Sequence, residues 1–225
     1  MRTRLVTLGE HWKSPMPLLQ ANDLTCHRGD RALFSSLSLS IEPGEVLQVH
    51  GPNGGGKTTL LRVLAGLTLP TSGRVLWQGR EVTQGARADT EDYRSALCFI
   101  GHTNGVKNER TPVENLEVWQ ALYELPSGPL LDDALEEVGL LGFEDVLALT
   151  LSAGQRRRVA LARLLVTGAR LWILDEPFTS LDREGVSWVE NRIAAHVADG
   201  GSVILTSHQP AALPVALRQI ELRGS

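Results

Sequence analysis

Eight residues, Gly51-Pro-Asn-Gly-Gly-Gly-Lys57-Thr58, constrain this 225-residue chain more than any other feature. They satisfy G-x-x-x-x-G-K-[ST], and their setting matters as much as their spelling. Glu45-Val-Leu-Gln-Val-His50 reads as a strand running into the glycines. Leu60, Val63, Leu64 and Leu67 then recur at i, i+3, i+4 and i+7, one face of a helix. Residue frequencies alone produce such a string in about one chain in a hundred of this length, and more rarely still between a strand and a helix. In that order the elements curl backbone N–H groups around phosphates and add the positive end of a helix dipole. Gly51, Pro52, Asn53, Gly54, Gly55, Gly56, Lys57, Thr58 and Thr59 are therefore the expected nucleotide-binding residues. Lys57 would reach the β- and γ-phosphates, and the Thr58 hydroxyl would bind Mg²⁺.

The rest of the chain surrounds that loop with α/β alternation. Residues 18–41 read as short strands with turns at Gly29-Asp30 and Pro43-Gly44, and 73–82 as a strand pair around Val75 and Trp77. A further strand spans 96–100 and ends at Gly101-His102. The middle turns helical: 113–125, 129–141 with Leu131, Leu135 and Val138 on one stripe, and a third helix from about Ser152 carrying Leu161, Leu164 and Leu165. Leu171-Trp-Ile-Leu174 has the apolar run of a strand buried on both faces. A helix over 185–198 and a strand over 202–206 come next, ending just before His208. One α/β unit with a helical insertion at about 103–165 is expected for residues 18–225.

Two acids end the buried strand, in Leu171-Trp-Ile-Leu-Asp175-Glu176. Acids in this place can simply stop a strand and cap the next turn. Beside a phosphate loop they have a chemical use: Asp175 is placed to hold Mg²⁺, and Glu176 to act as general base on an attacking water.

Composition narrows the rest. Hydrophobic residues at 42% and charged residues at 21% are ordinary for a folded chain. No apolar stretch approaches the roughly 18–20 residues of a membrane span, so any membrane role needs another chain. A net charge of −4 lacks the basic surplus of nucleic-acid binders, and no nucleic-acid partner is expected. Cys26 and Cys98 stand alone and far apart, which fits a reducing compartment and no zinc cluster. Residues 1–17 lack the apolar core of a secretory signal and read either as a short disordered tail or as residues upstream of a start at Met16.

Leu151-Ser-Ala-Gly-Gln155 leads into Arg156-Arg-Arg-Val-Ala-Leu-Ala-Arg163. Ser152 and Gln155 have capping-box spacing, so a helix with an organised N-terminus is expected there. Arg156 to Arg158 read as a solvated helix face. Placed after the phosphate loop and before the acids, this segment resembles the ABC ATPase signature LSGGQ, with Ala153 for the first glycine. Ser180-Leu-Asp182 then resembles the D-loop and His208 the switch histidine, so five elements agree in order across residues 18–208.

The resemblance implies a P-loop NTPase of the ABC type, with a RecA-like core, an antiparallel β subdomain and an α-helical signature subdomain. It implies a head-to-tail homodimer in which Ser152, Gly154 and Gln155 contact the partner's ATP, while His208 contacts the γ-phosphate within its own protomer. Two departures stand out. The glutamine of the Q-loop is replaced by His102, whose imidazole can bind metal or water as an amide can, so Mg²⁺ contact is expected from Thr58, Asp175 and His102. The aromatic that usually stacks on adenine is absent; Arg28 takes its place with His27 beside it, and either planar group can stack on a base.

Several stretches, among them Arg31-Ala-Leu-Phe34, Gly101-His102 and Leu171 to Phe178, are similar to the ATP-binding subunit of the cytochrome c maturation transporter, often called the haem exporter. His102 departs from ABC proteins at large yet agrees with this subfamily; Arg110 and Thr103-Asn104 deviate from it. The similarity implies an ATPase that couples ATP hydrolysis to an integral membrane permease, peripheral on the cytoplasmic face of the bacterial inner membrane. The alternative is the ATPase subunit of another ABC exporter, for a drug or a lipid. An ABC protein of DNA or ribosomes would need a long coiled-coil insertion or tandem units. A regulatory subunit without hydrolysis is disfavoured by Glu176 and His208.

Overall fold

The computed structural model describes residues 16–83, 87–123, 130–207 and 213–222. The chain runs β1 (Leu19–Arg28), β2 (Arg31–Ile41), β3 (Val46–His50), α1 (Lys57–Leu64), β4 (Ser72–Trp77), β5 (Arg80–Glu81), α2 (Arg87–Ser95) and β6 (Leu97–Ile100). It continues through α3 (Pro112–Leu122), α4 (Leu130–Glu137), a 3₁₀ turn at Ala148–Thr150, α5 (Ala153–Val166), β7 (Leu171–Leu174), α6 (Arg183–Ala198), β8 (Ser202–Thr206) and β9 (Leu217–Glu221).

Two sheets result. One is antiparallel in the order β2-β1-β4-β5, the other parallel in the order β6-β7-β8-β3-β9. Strand alternation splits the parallel sheet's side chains between two cores. Leu47, Val49, Leu171, Ile173 and Ile204 join the helix α1 leucines and the antiparallel sheet on one face. Val46, Trp172, Leu174, Val203 and Leu205 join α5 and α6 on the other. This is why β7 reads as an unbroken apolar run: all four of its residues are buried. A third cluster unites Leu116, Leu131, Leu135 and Val138 with Val159, Ala162 and Val166 of α5, so α5 packs on the sheet and on the helical insertion at once. Burying each such Leu or Val contributes about 1.5–3 kcal/mol.

Three sequence expectations are corrected or extended. Helix α1 ends at Leu64, because Gly66 adopts φ +69° and turns the chain, so Leu67 leaves the helical face and stands 53% exposed. Residues Arg156 to Arg158 are not a solvated face: Arg157 is buried at 3% exposure and its neighbours bond to backbone carbonyls. Helix α2 and strand β9 have no counterpart among the sequence expectations; α2 is mostly polar and anchors through Tyr93, 1% exposed in the core, and β9 mixes half-buried with exposed residues.

On the far face of the sheet the His196 ring of α6 stacks on Trp172, with centroids 3.7 Å apart and planes 5° apart. Gly201 lies beneath it, where a Cβ would fall 2.2 Å from the ring. Burial pushes the imidazole down to about 4. A folded-state value below the unfolded 6.5 means that the unfolded chain binds the proton first on acidification, so this site's stability is fully present above pH 6.5 and is lost as pH falls toward 4. Thermal melts between pH 7 and pH 4.5 should show a falling Tm in the wild type and a smaller fall in His196→Phe. Equal slopes would place the acid sensitivity elsewhere.

Candidate functional site

Four neighbouring strands of the parallel sheet deliver the site from their C-terminal ends, where ligands bind in open α/β sheets. Strand β3 leads into Gly51–Lys57, β6 into Gly101-His102, β7 into Asp175-Glu176, and β8 ends at Thr206. Between them lies a cavity of about 370 Å³ lined by Arg28, Leu33, residues of the phosphate loop, His102, Asp175 and Glu176. Residues from 28 to 176 in sequence thus meet in one place.

The loop's glycines are needed for distinct reasons. Gly51 has φ +152°, and a Cβ there would meet the Leu222 carbonyl oxygen at 2.6 Å. Gly56, at φ +92°, is the N-cap of α1, where a side chain would press on Leu33 and Phe34. Lys57 is 8% exposed, and its ammonium donates to the carbonyl oxygens of Gly51 (2.7 Å) and Pro52 (3.2 Å) and so stands over the mouth of the loop.

Behind the loop the acids are tightly placed. The Thr58 hydroxyl donates to Asp175 Oδ2 at 2.8 Å, and the Thr206 hydroxyl donates to Asp175 Oδ1 at 2.7 Å. The same Thr206 oxygen accepts from the Glu176 N–H at 2.9 Å. Glu176 itself takes φ +51°, a left-handed backbone that costs a non-glycine residue about 1–3 kcal/mol and persists only where surrounding contacts hold it. That strain sits at the residue expected to be the general base.

Arg28 lines the cavity whereas His27 does not; the His27 ring lies against the Thr71 hydroxyl at 3.4 Å. Of the two planar groups, the structure brings Arg28 to the site. Leu33, on the next strand, lines it too, an apolar wall with no signal in the sequence beyond strand alternation. Exposed His102 lines the cavity from the end of β6. His208 lies outside the described residues, as do residues 1–15 of the N-terminal stretch.

The signature segment stands apart from this cavity. Ser152 and Gln155 form the expected capping box: Gln155 N–H donates to Ser152 Oγ (3.2 Å) and Ser152 N–H donates to Gln155 Oε1 (2.9 Å). Gly154 abuts the turn before α6, where a Cβ would come within 2.8 Å of the Ser180 carbonyl oxygen. Asp182 closes that turn by accepting from Gly185 N–H at 2.8 Å and pairing with Arg158 at 2.7 Å. Those N–H and guanidinium contacts hold its carboxyl below the usual carboxylate range.

Besides Leu33, sequence reasoning missed Thr206 and Arg157. Thr206 carried no motif. Arg157 was hidden in an arginine run, which gives no hint of which arginine is buried. Desolvation lowers the Arg157 guanidinium to about 10, offset by Asp175 and Glu176, so it remains charged at neutral pH.

The family model described as ABC transporter matches residues 34–179. The cytochrome c biogenesis ATP-binding export protein CcmA of Pseudomonas savastanoi pv. phaseolicola is 48% identical over 92% of this chain and 95% of its own length. The CcmA 2 protein of Salmonella paratyphi A is 49% identical, over 92% of this chain and 98% of its own. Among solved structures, a dimeric ATP-binding cassette in a post-hydrolysis state with ADP and Pi superposes with a TM-score of 0.77 at 23% identity, covering 85% of this chain and 88% of its own. That last likeness is one of fold.

Proposed function

The chain belongs to the ABC transporter family of ATP-binding proteins, in its CcmA branch of cytochrome c biogenesis ATP-binding export proteins, and from this premise we propose how its residues bind and spend ATP. Lys57 and the loop N–H groups hold the β- and γ-phosphates, and Arg28 with Leu33 receives the base. Thr58 and Asp175 suit Mg²⁺: both are oxygen donors, they already touch at 2.8 Å, and a magnesium ion among phosphates takes only one or two protein ligands. His102 lines the same cavity as a third group for the ion or for water. Bound there, Mg²⁺ would neutralise charge on the transferring phosphoryl group. Glu176 takes the proton of the attacking water, and His208 contacts the γ-phosphate.

The observation that carries this reading is the convergence of the phosphate loop, Asp175, Glu176 and His102 on one cavity. Its distance from the signature is accounted for by a head-to-tail homodimer, in which Ser152, Gly154 and Gln155 of one protomer complete the site of the other.

A larger groove of about 710 Å³ opens beside the His102 strand, lined by Leu67, Leu97, Phe99, Trp119, Leu122 and Tyr123. Leu122 is 66% exposed on α3. Among the described residues no helix is long and apolar enough to cross a membrane. The groove is suited to a cytoplasmic segment of an integral permease of the Ccm type. From its likeness to cytochrome c biogenesis ATP-binding export proteins we infer a peripheral ATPase on the cytoplasmic face of the bacterial inner membrane, in a transporter of the haem-exporting type.

A haem stain of c-type cytochromes tests this in cells whose only copy carries Glu176→Gln. The stained bands should vanish and return with the wild-type copy. Normal bands would detach hydrolysis here from cytochrome c maturation.

A further inference from the structure

Arg157 takes no direct part in phosphate binding or proton transfer, yet its whole guanidinium is bonded to the loops that carry the site. The residue is 3% exposed, and each guanidinium nitrogen has an acceptor. Nε donates to the Pro177 carbonyl (3.4 Å), Nη1 to the Gly101 carbonyl (3.0 Å) and Asn104 Oδ1 (3.0 Å). Nη2 donates to the carbonyls of Asp175 (3.0 Å) and Glu176 (2.8 Å). The acceptors belong to two loops, one after β6 and one after β7, while the arginine belongs to α5, the helix of the signature. A second buried arginine of that helix, Arg163, donates to the Asn104 carbonyl at 3.1 Å and grips the first loop again.

The geometry bears directly on Glu176. Its left-handed backbone is gripped on both sides, the N–H by Thr206 Oγ1 at 2.9 Å and the carbonyl by Arg157 Nη2 at 2.8 Å. Without the second grip the peptide after Glu176 is free to relax toward an unstrained φ, which swings the carboxylate away from its direction. We propose that Arg157 is the positioning residue of hydrolysis: it fixes the backbone, and hence the aim, of Glu176, and makes that aim depend on how α5 and the His102 loop are seated. This rests on Glu176 being the general base. A signature helix displaced by its partner, or a His102 loop displaced at the neighbouring groove, is thereby felt at the base through one guanidinium.

A double-mutant cycle in the full chain tests it, with phosphate release from radiolabelled ATP as readout. Arg157→Gln should lower kcat about 10²-fold, as a misplaced catalytic group does, while KM for ATP stays within about twofold. In a Glu176→Gln background the same change should lower the residual rate no more than about twofold, because both act through one group. Multiplicative losses, or a raised KM at unchanged kcat, would reduce Arg157 to a structural residue and overturn the proposal. Undiminished hydrolysis in Glu176→Gln alone would remove the base itself, a failure visible before Arg157 is touched. Should Arg157→Gln lose its native circular dichroism, Arg157→Lys enters the same cycle. It keeps the charge with at most three donors, and a smaller fall with the same non-additivity is expected.

Discussion

Lys57→Ala should lose ATP turnover to background and bind ATP at least about 10-fold more weakly, since a charge-assisted hydrogen bond is worth roughly 1.5–3 kcal/mol. The structure explains why nothing else compensates. The ammonium is held at 2.7 Å and 3.2 Å by two carbonyls of its own loop, so it is already fixed at the mouth where the β- and γ-phosphates would lie. The other cation of the cavity, Arg28, is exposed on β1 and belongs to the end proposed for the base. Alanine keeps helix propensity at the first residue of α1, so the fold should survive and the loss should be one of phosphate binding. Titration with a fluorescent ATP analogue, beside phosphate release, separates the two. Wild-type affinity with wild-type turnover would remove Lys57 from the phosphate site.

Glu176→Gln should leave ATP affinity nearly intact and lower kcat about 10²–10⁴-fold, the span that a general base contributes. Gln preserves volume and the backbone grips of Thr206 and Arg157, which act on main-chain atoms. It removes only the capacity to take a proton. Asp175 cannot take over, because both its carboxylate oxygens accept from hydroxyls, of Thr58 and Thr206, and it is 1% exposed. Equal phosphate release by Glu176→Gln and wild type would sink the assignment.

Much of this was legible in the sequence because the relevant signals are local. The glycine loop between β3 and α1, the capping box at Ser152 and the all-apolar β7 each arise from a few adjacent residues and appear where expected. The features that stayed hidden depend on packing between distant segments. Leu67 continues the helical spacing on paper, but Gly66 breaks the helix first. Arg156, Arg157 and Arg158 look alike in sequence, and only the seat of α5 between sheet and helical insertion decides that Arg157 is buried beneath the acids. Thr206 ends a strand like many others; the parallel register of β7 beside β8 is what brings it to Asp175. Arg28 and His27 are neighbours with equal claims on a base, and the Thr71 contact of His27 leaves the cavity to Arg28.

We propose that one site is assembled from two copies: the phosphate loop, Asp175 and Glu176 of one, the Ser152, Gly154 and Gln155 end of α5 of the other. The most direct measurement is sedimentation velocity of Glu176→Gln with Mg²⁺ and saturating ATP, where slow hydrolysis preserves the bound state. The mass of two chains is predicted with ATP and of one chain with ADP, and adding Gly154→Asp should return the ATP sample to one chain. A single chain saturated with ATP would rule out a site shared between two copies.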